Sequence, residues 1–191
     1  KLGPVDIVMS APDIKISSAE KVNSAEFMKK ELAGFDADWK LCAWHKPHRD
    51  LQLGKLRDDI SWDLYTTCQN AGAYMLMGHD HSYARTKTML DFPNRAFSTT
   101  TSEDMVLLGK GYSGAVIAGL GGRSLHKRGV DTGPWWATTY SAENLKIETE
   151  GKRKNIAGIL FCTFEKGKKE APCYFKMTDG KVRDMFTLKR I

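Results

Sequence analysis

Gly78-His79-Asp80-His81-Ser82-Tyr83-Ala84 is the stretch on which the reading of the chain turns. An apolar run, Ala73-Tyr74-Met75-Leu76-Met77, leads into it between Gly72 and Gly78. The run is too short for an ordinary helix and glycines bound it at both ends, so it reads as a buried strand. Gly78 lets the backbone turn at the strand end without a Cβ penalty. Two imidazoles separated by one residue then leave the tip. In extended backbone, residues i and i+2 point to one side, where a metal ion, or a pair of ions, can collect both rings. Asp80 points to the opposite side on that geometry and is not expected to be a ligand.

Upstream, Val5-Asp6-Ile7-Val8-Met9 is a short apolar run after Gly3-Pro4, and reads as a strand. Residues 10 to 23 mix Ser, Pro, Asp and Lys as a loop does. A helix is expected over Ser24 to Ala33: Asn23 caps it with Glu26 three residues on, and Gly34 supplies a stop. Its core stripe is Ala25, Met28, Leu32 and Phe35. Trp39-Lys40-Leu41-Cys42-Ala43-Trp44 is a second strand, ending at His45, and Pro47 breaks the pattern at once. The loop from Lys46 to Gly54 carries His48, Arg49 and Asp50. A second helix is expected from about Leu56 to Ala71. Asp58 and Asp59 suit its positive end, and Ile60, Leu64, Thr67 and Ala71 form its inner face.

This alternation of strands and helices predicts an α/β unit with largely parallel strands joined by right-handed crossovers. Ligands of such sheets bind at the carboxyl ends of the strands, and His45, His79 and His81 all fall there. Beyond Arg85 the texture changes. Ser98 to Ser102 is polar and loop-like, and Ala115 to Ala118 is a strand entering the turn Gly119-Leu120-Gly121-Gly122. Gly133-Pro134-Trp135-Trp136 reads as a loop whose aromatics form a surface clamp or a packing anchor. Ile156 to Phe164 and Ala171 to Met177 read as strands, and Thr178-Asp179-Gly180-Lys181 as a tight turn into Val182 to Leu188. The second half is expected to be mainly antiparallel β.

The 191 residues fit one domain or most of one, and their composition, 41% hydrophobic and 27% charged, excludes disordered and fibrous classes. No apolar stretch reaches the length that spans a bilayer. With no initiator Met and no leader, the chain is expected to begin internally or to have been processed. The net charge of +6 comes from 29 Lys and Arg against 23 Asp and Glu. The excess gathers in Lys152-Arg153-Lys154 and Lys166-Gly167-Lys168-Lys169, which reads as a solvated basic surface, and no nucleic-acid motif accompanies it. None of the four cysteines forms a C-x-x-C pair. Cys42 and Cys68 read as small buried hydrophobes, and Cys162 and Cys173 face one another across a hairpin, with their pairing left open. Compartment is open, secreted or extracellular included. His126 has no motif around it and is expected at the surface, and Lys46 is expected to be a solvated charge.

Gly78-His79-Asp80-His81-Ser82-Tyr83-Ala84-Arg85-Thr86 resembles the last metal-binding motif, GHxH, of the calcineurin-like metallophosphoesterases, a superfamily that includes the purple acid phosphatases. Trp39 to His45, with Lys-Pro following, is similar to the preceding metal-ligand strand of those enzymes. The resemblance covers mainly residues 25 to 125. It implies a β-sandwich flanked by helices, here the C-terminal part of one such domain over residues 1–191, with strand-helix-strand units followed by antiparallel strands. It also implies a site for two divalent or mixed-valence metal ions (Fe, Zn or Mn), with His45 and His79 on one ion and His81 on the other. Such ions sit about 3.5–4 Å apart and clamp the attacking and leaving oxygens of an in-line displacement at phosphorus. The implied activity is phosphoester hydrolysis, phosphatase or phosphodiesterase, with metal-held hydroxide as nucleophile and a phosphate ester as substrate.

The superfamily's earlier motifs, DxH, GDxxD and GNHE or GNHD, are absent; they are expected to precede Lys1, so that the chain supplies three ligands of a larger set. Past the His45 strand end, His48 is the candidate general acid towards the leaving oxygen, and Arg49 the candidate for holding a phosphate oxygen bidentately. A solvated loop is the alternative for both. Tyr83 and Arg85 are expected to support the ligand histidines from behind. Two rival readings stand beside the hydrolase. One is a non-catalytic binding module that kept the fold; the other is a domain with one metal or none, whose histidines stabilise strand ends.

Overall fold

Along the chain the elements run β1 (Val5–Met9), α1 (Ser24–Ala33), β2 (Trp39–Trp44), a 3-10 turn (Arg49–Leu51), α2 (Trp62–Asn70), β3 (Tyr74–Met77), β4 (Tyr83–Thr86), β5 (Met89–Asp91), β6 (Ala96–Phe97), β7 (Met105–Leu108), β8 (Ala115–Ala118), β9 (Trp136–Tyr140), β10 (Gly158–Cys162), β11 (Glu170–Met177) and β12 (Val182–Arg190). The structure, a computed structural model, describes residues 3–12, 23–54, 60–122, 124–127, 133–142 and 157–191. Residues 13–22 of the first expected loop, Leu56, Asp58 and Asp59 of the second helix, the run Lys152-Arg153-Lys154, and Ile156 lie outside the described residues.

Two large sheets carry the fold, one ordered β1-β2-β3-β8-β4-β9 and the other β10-β11-β12-β7, with β5-β6 a small separate ribbon. In the first, β1, β2, β3 and β8 are parallel neighbours, β4 runs antiparallel between β8 and β9, and β9 forms the edge. In the second, β10, β11 and β12 pair antiparallel, while β7 joins β12 in parallel. The order of strands places the carboxyl ends of β2 and β3 side by side.

Alternation along each strand sorts the core into two layers. Trp39 and Leu41 of β2, Tyr74 of β3, Tyr83 of β4 and Val116 of β8 face the second sheet, packing with Phe175, Phe186 and Leu188. Cys42 and Trp44, Met75 and Met77, Ala84, Ala115 and Ile117 face the helices, packing with Met28, Leu32, Leu64 and Tyr65. Strands buried on both faces show no apolar–polar alternation in sequence, which is why β2 and β3 read there as continuous apolar runs.

Asn23 caps α1 as its sequence indicates, its Oδ1 accepting from the amides of Ala25 (3.2 Å) and Glu26 (3.3 Å). The second helix departs from expectation. It begins at Trp62, because Ser61 Oγ caps it by accepting the Asp63 amide at 3.2 Å. Its buried face is Leu64, Tyr65, Cys68 and Gln69; of the expected stripe, Ile60 and Leu64 are buried and Ala71 packs against the same core, while Thr67 is only half-buried. Gln69 is drawn inward because its amide donates to the carbonyls of Met89 and Gly111.

Cys42 and Cys68 are not free buried thiols: they form a disulfide that ties β2 to α2. Cys162 and Cys173, directly opposite in the β10–β11 register, form a second one. Trp136 is part of β9 and buried in the helix-side core, with Trp135 packed against that core, so the pair anchors packing and does not form a surface clamp.

Candidate metal centre

Residues Gly78 to Ser82 do not continue β3 in extended form. His79 has φ of 60°, a left-handed value that few non-glycine residues adopt and that marks local strain of the kind gathered at functional sites. The Asp80 amide donates to the Gly78 carbonyl and the Ser82 amide to the Asp80 carbonyl, both at 2.7 Å, folding the stretch into consecutive tight turns. The extended geometry expected for His-x-His is therefore replaced by a coil, and the two histidines part.

His79 meets His45. The Gly78 amide donates to the His45 carbonyl at 3.0 Å, pinning the two strand ends together. His79 Nδ1 then lies 3.3 Å from His45 Nε2, with the ring planes at 80°. Two imidazole nitrogens bound to one tetrahedral ion at about 2.0–2.1 Å stand about 3.3–3.4 Å apart. The observed separation fits two ligands of a single ion. Without an ion the same separation suits one ring donating to the other.

His81 turns the other way. Its Nδ1 donates to the Ser124 carbonyl at 2.6 Å, and its ring stacks on His126 with centroids 4.1 Å apart and planes at 17°. A carbonyl only accepts, so this contact puts the proton on Nδ1 and makes Nε2 the nitrogen with a lone pair. Among the described residues, no set of three or more His, Cys, Asp or Glu side chains is arranged to hold a metal ion. The residues present fit part of a ligand set: a pair on one side, and one oriented imidazole on the other.

Asp80 stands behind this arrangement with none of its surface exposed. Its Oδ2 accepts from the amides of Leu53 (2.6 Å) and Gly54 (3.2 Å) and from Ser82 Oγ (2.9 Å). Its Oδ1 lies 2.6 Å from His126 Nδ1. That nitrogen also lies 3.0 Å from the His81 amide, and the two contacts demand opposite tautomers. The shorter one, to a carboxylate, decides: Nδ1 of His126 carries the hydrogen and donates it to Asp80. His126 is thus part of the site and not the surface residue expected. Nothing in the spacing around Leu125-His126-Lys127 signals this; only the fold brings it 46 residues back to Asp80.

Two glycines make the close approach feasible. A Cβ on Gly119 would sit 1.9 Å from the Asp80 carbonyl oxygen, and one on Gly54 would sit 2.4 Å from His126 Cβ.

His48 begins the 3-10 turn after His45. Its Nδ1 accepts the Asp50 amide at 3.1 Å, its ring stacks on Trp62 at 3.7 Å, and its own amide donates to the Tyr65 hydroxyl at 2.7 Å. Burial pushes the Tyr65 hydroxyl far above its ordinary pKa, so it stays protonated and donates to Met77 Sδ at the end of β3. Arg49, about half exposed, lies beside Asp50, whose other oxygen binds Arg95 at 2.6 Å. Tyr83 and Arg85 do not stand behind the histidines. They point between the sheets, where both bind Asp184 of β12: Tyr83 through its hydroxyl at 2.6 Å, Arg85 through Nε at 2.7 Å and Nη2 at 2.9 Å.

No protein-family model matches the chain, and no curated protein matches it by sequence. Among solved structures, it is similar to a purple acid phosphatase from yellow lupin (Lupinus luteus) seeds, with a TM-score of 0.71 at 18% identity. The likeness covers 98% of this chain and 31% of the lupin chain, so the chain spans about a third of the length of the structure it resembles. Its fold is that of the lupin phosphatase over this portion, and it fits the C-terminal part of a calcineurin-like fold.

Proposed function

We propose that the chain is the C-terminal portion of one metallophosphoesterase domain and contributes to a dinuclear metal site that hydrolyses phosphate esters. The observation that carries this is the 3.3 Å approach of His45 Nε2 and His79 Nδ1 at two adjacent parallel strand ends, the spacing that a shared ion requires. His45 and His79 hold one ion, and His81, through Nε2, holds the other. Imidazole suits Zn and Fe among other ions, whereas Mn favours oxygen donors. When bound, the ions supply Lewis acidity, lowering the pKa of water and stabilising charge at phosphorus.

The chain's own residues bind and orient. Arg49, next to the loop that follows His45, offers a planar fork for a phosphate oxygen, and Asp50 restrains it. His48, held by Trp62 and the Asp50 amide, is the group on this loop able to pass a proton to the leaving oxygen. Two disulfides are of the kind that persist in oxidising compartments, in keeping with a secreted or extracellular setting.

One observation favours a second reading, a binding module that retained the fold without the chemistry: the lack, among the described residues, of a cluster of three ligands. Metal analysis of the full-length protein separates the two. The hydrolase account expects about two ions per chain, falling by at least one in the His45→Ala, His79→Ala double variant. A preparation that takes up no Zn, Fe or Mn, or a double variant with undiminished metal, overturns it.

A further inference from the structure

We propose that residues Ser124 to His126 form a clamp that sets the orientation and tautomer of His81, and that the buried Asp80–His126 pair is its latch. The function of the clamp rests on the assignment of His81 as a metal ligand; its existence does not.

Four contacts define it. The Ser124 carbonyl takes the hydrogen of His81 Nδ1 at 2.6 Å. The His126 ring lies flat against the His81 ring at 4.1 Å. The His126 amide donates to the His81 carbonyl at 3.0 Å. His126 Nδ1 donates to Asp80 Oδ1 at 2.6 Å, and its side chain is only 13% exposed. One face of the His81 ring, one of its nitrogens and its backbone are thus held by a single short segment.

The latch is itself fixed. Asp80 is fully buried, and three further donors, from Leu53, Gly54 and Ser82, converge on its other oxygen. The same carboxylate therefore ties three pieces of chain together: the turn that carries His79 and His81, the end of the loop that carries His48 and Arg49, and the segment that covers His81. The Ala142 amide, donating to the His126 carbonyl at 3.0 Å, holds the clamp from its far side. Gly119 and Gly54 admit this packing because a side chain at either position would strike Asp80 or His126.

A free imidazole exchanges its proton between two nitrogens and rotates about its side-chain bonds. A hydrogen bond to a carbonyl from one nitrogen leaves the other unprotonated and raises its basicity as a ligand, and loss of such partners typically weakens metal affinity by roughly 10- to 100-fold. Asp80 and His126 are accordingly positioning residues. They act on His81, and through it on one ion of the pair.

The test uses the full-length protein with selectively ¹⁵N-labelled histidine, compared with His126→Ala, His126→Phe and Asp80→Asn. Two readouts are taken at one fixed pH: long-range ¹H–¹⁵N correlations of the His81 ring in metal-free protein, and a Zn²⁺ titration. In the parent protein His81 is expected as the Nδ1–H tautomer. In His126→Ala it becomes a mixture, and the His81-dependent ion binds roughly 10- to 100-fold more weakly, while the ion at His45 and His79 keeps its affinity within about threefold. His126→Phe retains the ring stack but not the latch, and is expected to lie between the two. Asp80→Asn is expected to match His126→Ala, and the His126 variants carry the test if it fails to fold. An Nε2–H tautomer for His81 in the parent protein, or an unchanged tautomer and unchanged second affinity in His126→Ala, overturns the clamp. A parent protein with the Nδ1–H tautomer that binds no Zn²⁺ refutes the metal site while sustaining the clamp.

Discussion

Replacing Asp184 with alanine separates two roles for Tyr83 and Arg85. Asp184 is 7% and Arg85 2% exposed, so the pair is desolvated. Removing the carboxylate deletes two guanidinium contacts at 2.7 and 2.9 Å and the Tyr83 hydroxyl contact at 2.6 Å. What remains near the guanidinium is the Glu103 carbonyl on Nη1 and the face of Phe186, 4.3 Å away. Burial first, and then the Asp184 charge, push the Tyr83 hydroxyl far above its ordinary pKa, so it remains a donor and loses its acceptor. A buried charge stripped of its partner costs about 3–5 kcal/mol. For a chain of this size that corresponds to a fall in Tm of about 6–20 °C. The assay is urea denaturation beside a Zn²⁺ titration of the same protein. The variant should lose stability and keep its Zn²⁺ affinity. A loss below about 1 kcal/mol, or weakened Zn²⁺ binding in a protein of parental stability, would refute the placement of Tyr83 and Arg85 between the sheets.

Other outcomes follow from the same structure. Cys42→Ala paired with Cys68→Ala opens a loop of sequence separation 26, and the chain-entropy estimate puts the cost at about 3–4 kcal/mol, read as a shift in the urea midpoint; parental stability would count against the disulfide. Gly119→Ala drives a Cβ into the Asp80 carbonyl at 1.9 Å, and should cost about 1–3 kcal/mol or more while loosening the His79–His81 turn, detectable as faster amide exchange at residues 79–82. The Gly167 amide, donating to Asp38, holds that carboxylate below the ordinary aspartate range. A depressed folded pKa contributes stability that is present above the unfolded pKa and fades as pH falls through the folded one, so Asp38→Asn should flatten the acid limb of the stability profile. An unchanged acid limb speaks against that contact.

β2, β3 and β8 of the first sheet were legible because they are largely buried on both faces, and continuous apolar runs such as Trp39–Trp44 survive without a helical period. The cap at Asn23 was legible because it is local. Other features depend on partners far along the chain. β4 was not read as a strand, and Tyr83 and Arg85 were assigned to the histidines, because their partner Asp184 lies 99 residues beyond Arg85. His126 looked solvated because its partner Asp80 lies 46 residues back, and Asp80 itself looked like a spacer between two histidines. The joint approach of His45 and His79 was readable from their places at strand ends. The parting of His81 from His79 was to be expected only from the resemblance, which assigned it to another ion; the residues themselves do not signal it, since it depends on the left-handed backbone at His79.

The most direct measurement of the central claim is phosphate release from p-nitrophenyl phosphate by the full-length protein, supplied in turn with Zn, Fe and Mn, beside its His79→Ala variant. The account predicts metal-dependent turnover in the parent protein and a fall of at least about 100-fold in the variant, because that substitution removes half of the His45–His79 pair. Parental turnover in His79→Ala, or none in the parent protein with any of the three metals, would contradict it.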